Sequence, residues 1–202
     1  VAEPHCGGRR LLDLGAGSGL FLRVAADRGY ETVGLELHQE NADRLRAEGF
    51  RIVDRPLEDA GFGPNSFDLV TLWEVLEHIV EPAPLLERIH RVLAPGGAAS
   101  ILVPNADSLA SRVLHEKSGT FGGHSHVSFF NRRTLERLLN QTGFDLIEAE
   151  TIVSELGTVT NHLNFEDPYL GDRRETFDFL TPELIHDRLM GSKLLAVARA
   201  AS

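Results

Sequence analysis

Apolar positions along this chain fall into two alternating rhythms. Arg10-Leu-Leu-Asp-Leu14 is a short apolar run halted by Gly15-Ala-Gly-Ser-Gly19, after which residues 20–28 take helical spacing, so the segment reads strand, glycine turn, helix. Residues 32–36 read as a second strand, 39–48 as a helix stopped by Gly49, and 51–54 as a weaker third strand. The run 67–73 is more apolar and β-branched, which predicts a central fourth strand. A helix over 84–92 starts on proline and ends before Pro95-Gly96-Gly97, and 98–104 is the fifth strand. Strands alternating with helices imply βαβ crossovers and an α/β fold with a mostly parallel sheet covered on both faces.

After Pro104 the rhythm breaks. Residues 105–130 are rich in Ser, Gly and His and read as loop, with one short helix near 109–115. Asn131 caps a predicted helix over 134–141, Gly143 stops it, and 144–152 form a sixth strand. Residues 153–190 are polar, irregular and aromatic-bearing, with one helix at 182–189, and 194–198 close the chain as a final strand. No repeat and no domain boundary is evident, so 1–202 reads as a single domain, with 105–130 and 153–190 as active-site loops or insertions.

Composition narrows the function classes. With 42% hydrophobic and 25% charged residues, the 202-residue chain has the balance of a soluble globular protein. A formal charge of −10 repels a phosphate backbone, which argues against nucleic acid as partner. The pairs Arg9-Arg10, Arg132-Arg133 and Arg173-Arg174 are short and read as solvated. Cys6 is the single cysteine, so no internal disulfide is available, which suits a reducing compartment. No apolar run approaches the ~20 residues of a membrane span, and the start lacks a signal-peptide pattern; the expectation is a cytoplasmic protein, monomer or homodimer, with a small-molecule substrate. The chain opens on Val1 and reaches its first strand within ten residues, which implies a further segment ahead of it.

The glycine turn carries the most chemistry. Glycines at a strand-to-helix turn let backbone approach a ligand where a Cβ would collide. A dinucleotide site wants Gly-x-Gly-x-x-Gly, and the third glycine position is Leu20; a phosphate loop wants Gly-Lys-Ser/Thr, which is absent. Glu36 stands 21 residues beyond Gly15, where a carboxylate can accept both hydroxyls of a ribose. Dehydrogenases place an acid at the same spacing, so Glu36 alone does not choose the cofactor.

The run Asp13-Leu-Gly-Ala-Gly-Ser-Gly19 resembles motif I of class I S-adenosylmethionine-dependent methyltransferases. Phe67-Asp-Leu-Val leading into Glu74-Val-Leu-Glu-His78, and Val92-Leu-Ala-Pro-Gly-Gly97 before the fifth strand, resemble that family's next motifs in the right order. His124-Ser-His-Val-Ser-Phe-Phe130, followed by Leu135, Leu138, Leu139, Gly143 and Phe144, resembles the group containing ubiquinone-biosynthesis and sugar methyltransferases. The resemblance implies a Rossmann-like three-layer sandwich with a seven-stranded, mostly parallel sheet whose last strand is antiparallel. It implies S-adenosyl-L-methionine as cofactor, S-adenosyl-L-homocysteine as product, and a small-molecule acceptor, oxygen ahead of nitrogen or carbon.

Carried over by position, Asp13 would orient the loop and approach the methionine amino group. Gly15, Ala16 and Gly17 would lie against the methionine and ribose. Glu36 would hold the ribose, Leu37 would pack on adenine, Leu57 and Glu58 would meet the adenine edge, and Trp73 and Glu74 would flank the methionine end. His126, by its spacing to Phe130, is the candidate base, with His124 in reserve. Plainer readings stand beside these: Asp13 bracing the loop, Trp73 packing a core edge, His126 bonded to backbone at a loop end. Glu74, Glu77 and His78 at i, i+3 and i+4 could share a helical face and a metal, as in some ubiquinone-type relatives. Bracing of neighbouring loops is the favoured reading, and no metal ligand is assigned. A nicotinamide-dependent oxidoreductase and a non-catalytic cofactor binder are the competing classes.

Overall fold

Residues 5–121, 126–166 and 179–201 are described in the computed structural model. Strand β1 (Arg10–Leu14) leads through the glycine turn into helix α1 (Leu20–Asp27), followed by β2 (Glu31–Leu35), α2 (Gln39–Ala47), β3 (Arg51–Val53) and β4 (Phe67–Trp73). Then come α3 (Pro82–Val92), β5 (Leu93–Pro104), α4 (Leu109–Leu114), α5 (Arg132–Gln141), β6 (Phe144–Ile152), α6 (Leu156–Glu166), α7 (Pro182–Asp187) and β7 (Lys193–Ala200). The seven strands form one sheet in the order β3-β2-β1-β4-β5-β7-β6. Neighbours from β3 to β5 pair in parallel, and β7 runs antiparallel to both β5 and β6.

The expected three-layer sandwich is therefore present, and β4 lies in the middle of the sheet. Leu69, Val70, Thr71 and Leu72 are all buried, as an apolar strand covered on both faces must be. On one face, Leu12, Leu14, Val70, Leu72, Ile101 and Val103 pack against Leu86 and Ile89 of α3 and Leu135 and Leu139 of α5. On the other, Leu22 of α1 meets Ala42 and Leu45 of α2. Helix α5 begins where its cap dictates: Asn131 Oδ1 accepts from the Thr134 N–H, and Thr134 Oγ1 accepts from the Asn131 N–H.

Three expectations change. Helix α3 starts at Pro82 rather than 84, because proline suits a first helical position and Pro82 supplies it two residues earlier. Strand β5 reaches back to Leu93, which pairs with Phe67 before the register shifts across the Pro-Gly-Gly turn. The 153–190 stretch is not wholly irregular, since α6 forms there and Val159 packs against Ala110 and Leu114 of α4. Polar residues hide that helix in the sequence, and its buried Val159 finds its partners far back in the chain.

Candidate active site

The glycine turn sits at the carboxyl end of β1, where a parallel sheet opens toward ligands. Gly15 and Ala16 both donate their N–H to Leu35 O, at 2.8 and 3.1 Å, stitching the turn to the end of β2. Gly15 has φ 74, and a Cβ there would stand 2.6 Å from Val75 Cγ2. Left-handed backbone and lack of space both demand glycine. Ala16 turns its methyl away, into the cluster with Leu22, Ala42, Leu45 and Ile52, so only its backbone could face a ligand.

Glu36 lies one residue past β2, buried and fixed from both sides. Its Oε2 accepts the Gly17 N–H at 2.6 Å and its Oε1 accepts the His38 N–H at 2.8 Å. Each oxygen keeps a second lone pair, so the carboxylate can still take one hydroxyl on each. It faces a cleft of about 550 Å³ whose near wall is Gly15, Glu36, Leu37, Leu57 and Glu58. The far wall is Val75, Ile79 and Val80, with Pro84, Leu85 and Arg88 of α3. That volume suits one nucleoside-sized ligand. Leu57 is buried at the base of the wall, whereas Leu37 is 60% exposed and free to close over a planar ring.

Asp13 is buried beside the turn, and its Oδ1 accepts from Thr71 Oγ1 at 2.6 Å across the β1–β4 pairing. Burial pushes its carboxyl up to about 7; the Thr71 hydrogen bond works against the rise and the nearby Glu36 charge adds to it. A carboxyl poised there would release its proton when a cation arrives.

Trp73 and Glu74 stand off this cleft. The Trp73 ring packs on Phe21 at 4.8 Å and lines a separate hollow of about 250 Å³ on the α1 face of the sheet, because strand alternation turns it away from Leu72. Glu74 adopts a left-handed φ of 58 and pairs with Lys193 at the start of β7, with its Oε1 buried and lacking a hydrogen-bond partner among the described residues. Lys193 is invisible to sequence reasoning, since only the antiparallel return of β7 beside β5 brings it to Glu74, just past β4. Nor could spacing identify the far wall; Leu85 and Arg88 at i, i+3 on α3 were the one available signal.

The Glu74-Glu77-His78 face does not form, because Leu76–His78 is a single 3-10 turn and Glu74 is engaged elsewhere. His126 arrives instead. Val127 and Ser128 donate their N–H groups to Glu77 O at 2.9 and 3.1 Å, and Ser128 Oγ donates to Ile79 O at 3.1 Å, so the segment after His126 is fastened to the cleft rim. Glu77, His78 and His126 each offer a ligand atom within 4.8 Å of the others, and the two imidazoles lie 5.2 Å apart. Both Glu77 oxygens are buried without a hydrogen-bond partner among the described residues, and burial raises its carboxyl above the usual range. His126 Nδ1 lies 3.0 Å from Thr120 O; a carbonyl only accepts, so Nδ1 donates to it and Nε2 takes no part in that bond. His124 lies outside the described residues, as do Tyr169 and Phe177.

A glycine turn stitched to β2, an acid clamped at that strand's end and a β7 that doubles back define a Rossmann-like fold of the methyltransferase type. The chain belongs to the methyltransferase domain family, which it matches over residues 2–149. It is 30% identical over 161 residues to a ubiquinone biosynthesis O-methyltransferase of Psychrobacter arcticus, a match covering 71% of this chain and 62% of that protein. The chain thus spans less than two thirds of that relative's length. To the ubiquinone biosynthesis O-methyltransferase of Ruegeria pomeroyi it is 30% identical over 197 residues, covering 90% of this chain and 75% of that one. Its fold is that of the S-adenosylmethionine-dependent methyltransferase from Mesorhizobium loti, with a TM-score of 0.66 at 22% identity, covering 97% and 93% of the two chains.

Proposed function

We propose that this chain transfers the methyl group of S-adenosylmethionine to an oxygen of a small molecule, with His126 taking the proton. The observation that carries the reading is Glu36, held by two backbone N–H groups at the edge of a nucleoside-sized cleft. Gly15 and Gly17 would lie along the methionine and ribose, Leu37, Leu57 and Glu58 around adenine, and Asp13 near the methionine ammonium. Oxygen as acceptor draws its support from the names of the ubiquinone-biosynthesis relatives.

The reaction is an in-line displacement. An acceptor oxygen's lone pair forms the new C–O bond, the methyl–sulfur bond breaks, and its electrons return to sulfur as the neutral thioether of S-adenosylhomocysteine. Alignment supplies most of the rate. The proton leaving the acceptor passes to His126 Nε2, while Nδ1–H stays on Thr120 O and keeps the ring in place. Calorimetric titration with S-adenosylmethionine and S-adenosylhomocysteine tests the reading: micromolar binding is expected, weakened about a hundredfold in Glu36→Ala as two charge-assisted hydrogen bonds to ribose are lost. Failure of the native protein to bind either compound refutes it.

A second reading comes from the side chains meeting at Glu77. A divalent cation held by Glu77, His78 and His126 would fit their donor chemistry and would lower the pKa of an acceptor hydroxyl. Donors up to 4.8 Å apart stand wider than a cation at about 2.1 Å from each would hold them, so the set must contract. A histidine bound through Nε2 has no lone pair left for a proton, so the two readings exclude each other. Turnover that survives exhaustive chelation supports His126 as base; loss with chelator and recovery with a divalent cation supports the second.

A further inference from the structure

Arg132-Arg133, one of the short basic pairs in the sequence, plays no part in the cofactor cleft. In the fold this pair is joined by Arg112 of α4 and by Arg188, just past α7, around a separate cleft of about 200 Å³. Four arginines, from two helices and the residue after a third, thus line one cleft in a chain whose formal charge is −10. Gathering like charges is unfavourable unless something answers them.

Two of the four are answered within the protein. Arg112 pairs with Asp107 at 3.3 Å, and Arg132 with Glu136 at 3.6 Å. Arg133 and Arg188, both exposed, make no ion pair among the described residues. Arg132 and Arg133 are also the first residues of α5, so the positive end of a ten-residue helix adds to the same field.

The arginines are held by a common anchor at the end of β5. Asn105 is buried, and its Nδ2 donates to Leu189 O at 3.0 Å and Gly191 O at 2.8 Å, while its Oδ1 accepts the Asp107 N–H at 3.1 Å. Ala106 donates its N–H to Phe130 O, and Leu109 donates to Met190 O, both at 2.8 Å. These bonds tie the approaches to α4, α5 and β7 to one point. Leu189, next to Arg188, is kept at φ 54, a backbone conformation that L side chains rarely adopt.

We propose that this cleft binds a phosphoryl group, with Arg133 and Arg188 as its principal donors. The guanidinium fork matches phosphate oxygens two at a time, and a dianion is drawn more strongly than a carboxylate to clustered guanidinium charge. Phosphoryl oxygens could come from a phosphorylated methyl acceptor or from free phosphate. The cleft lies at the sheet end where Pro104 pairs with Lys193, the partner of Glu74, so an acceptor's phosphoryl tail could sit there while its hydroxyl reaches toward the cofactor cleft. The two clefts share no lining residue.

The test titrates inorganic phosphate and phenyl phosphate into the protein at constant ionic strength, followed by phosphorus NMR line broadening. Wild type is compared with the double variant Arg133→Ala/Arg188→Ala and with Arg137→Ala, an exposed charge removed outside the cleft. Wild type and Arg137→Ala should bind alike, and the double variant at least tenfold more weakly, while S-adenosylhomocysteine affinity is the same in all three. Tighter binding of phenyl phosphate than of phosphate assigns the group to an acceptor; equal or weaker binding assigns the site to the free anion. Unchanged phosphate affinity in the double variant, or no binding by wild type, overturns the proposal whatever the cofactor titration gives.

Discussion

The two sides of the proposed active site are built differently. The proposed cofactor side, from Asp13 to Glu58, is set by backbone: glycines in left-handed conformation, N–H groups stitched to Leu35 O, and a carboxylate clamped by two further N–H groups. The proposed acceptor side, beside that cleft, is set by side chains from distant segments, with Glu77 and His78 after β4 and His126 before α5. Backbone geometry is local and tolerates few residue types. Side-chain convergence is long-range and tolerates many, which is how one scaffold accommodates different acceptors around one cofactor.

If that division is real, substitutions on the two sides must fail in different ways. The largest effect belongs to His126→Ala, expected to lower kcat by about a hundred- to ten-thousandfold. Its S-adenosylhomocysteine affinity should match wild type, and a parallel loss in calorimetry would erase the division. Gly15→Ala should do the reverse. Left-handed backbone and the approach to Val75 penalise the ligand-ready turn, so cofactor affinity should fall by about a hundredfold.

Asp13 offers a smaller, pH-dependent effect. Its folded pKa of about 7 lies above the unfolded value, so its contribution to stability is full in acid and is lost as pH rises through 7. Asp13→Asn should flatten the fall in Tm between about pH 4 and 7, and should abolish the proton release expected when cofactor binds the wild type. Retention of both would place the titration elsewhere. Smallest is Asp68→Asn, at the opposite end of the sheet, where Arg10 hydrogen-bonds both Asp68 oxygens and holds its carboxyl below the usual range. Because that pKa is depressed, the contribution is present at neutral pH and fades as pH falls through it. A slight drop in Tm at pH 7, vanishing in acid, is expected with no change in cofactor affinity.

Legibility follows the same division. Residues 10–14, 67–73 and 144–152 were readable as strands to the residue, because an apolar strand between glycines and prolines has few other fates. Gly15, Glu36, Leu37, Leu57 and Glu58 were placed by motif and do line one cleft. Trp73 and Glu74 were placed by the same reasoning and do not, since position at a strand end leaves open which face a ring takes or which partner a carboxylate finds. Helix α6 is hidden because its polar residues mask a buried contact, Val159 on Ala110 and Leu114.

By itself the sequence determined the βαβ rhythm, the glycine turn and the acid that follows it, since each depends on torsion preferences and spacing within a few neighbouring residues. Only the tertiary structure decided that β7 returns antiparallel between β5 and β6, that His126 joins Glu77 and His78, and that four arginines meet around Asn105. Those contacts join residues dozens of positions apart, and their geometry is set by how sheet and helices pack, which no local pattern encodes.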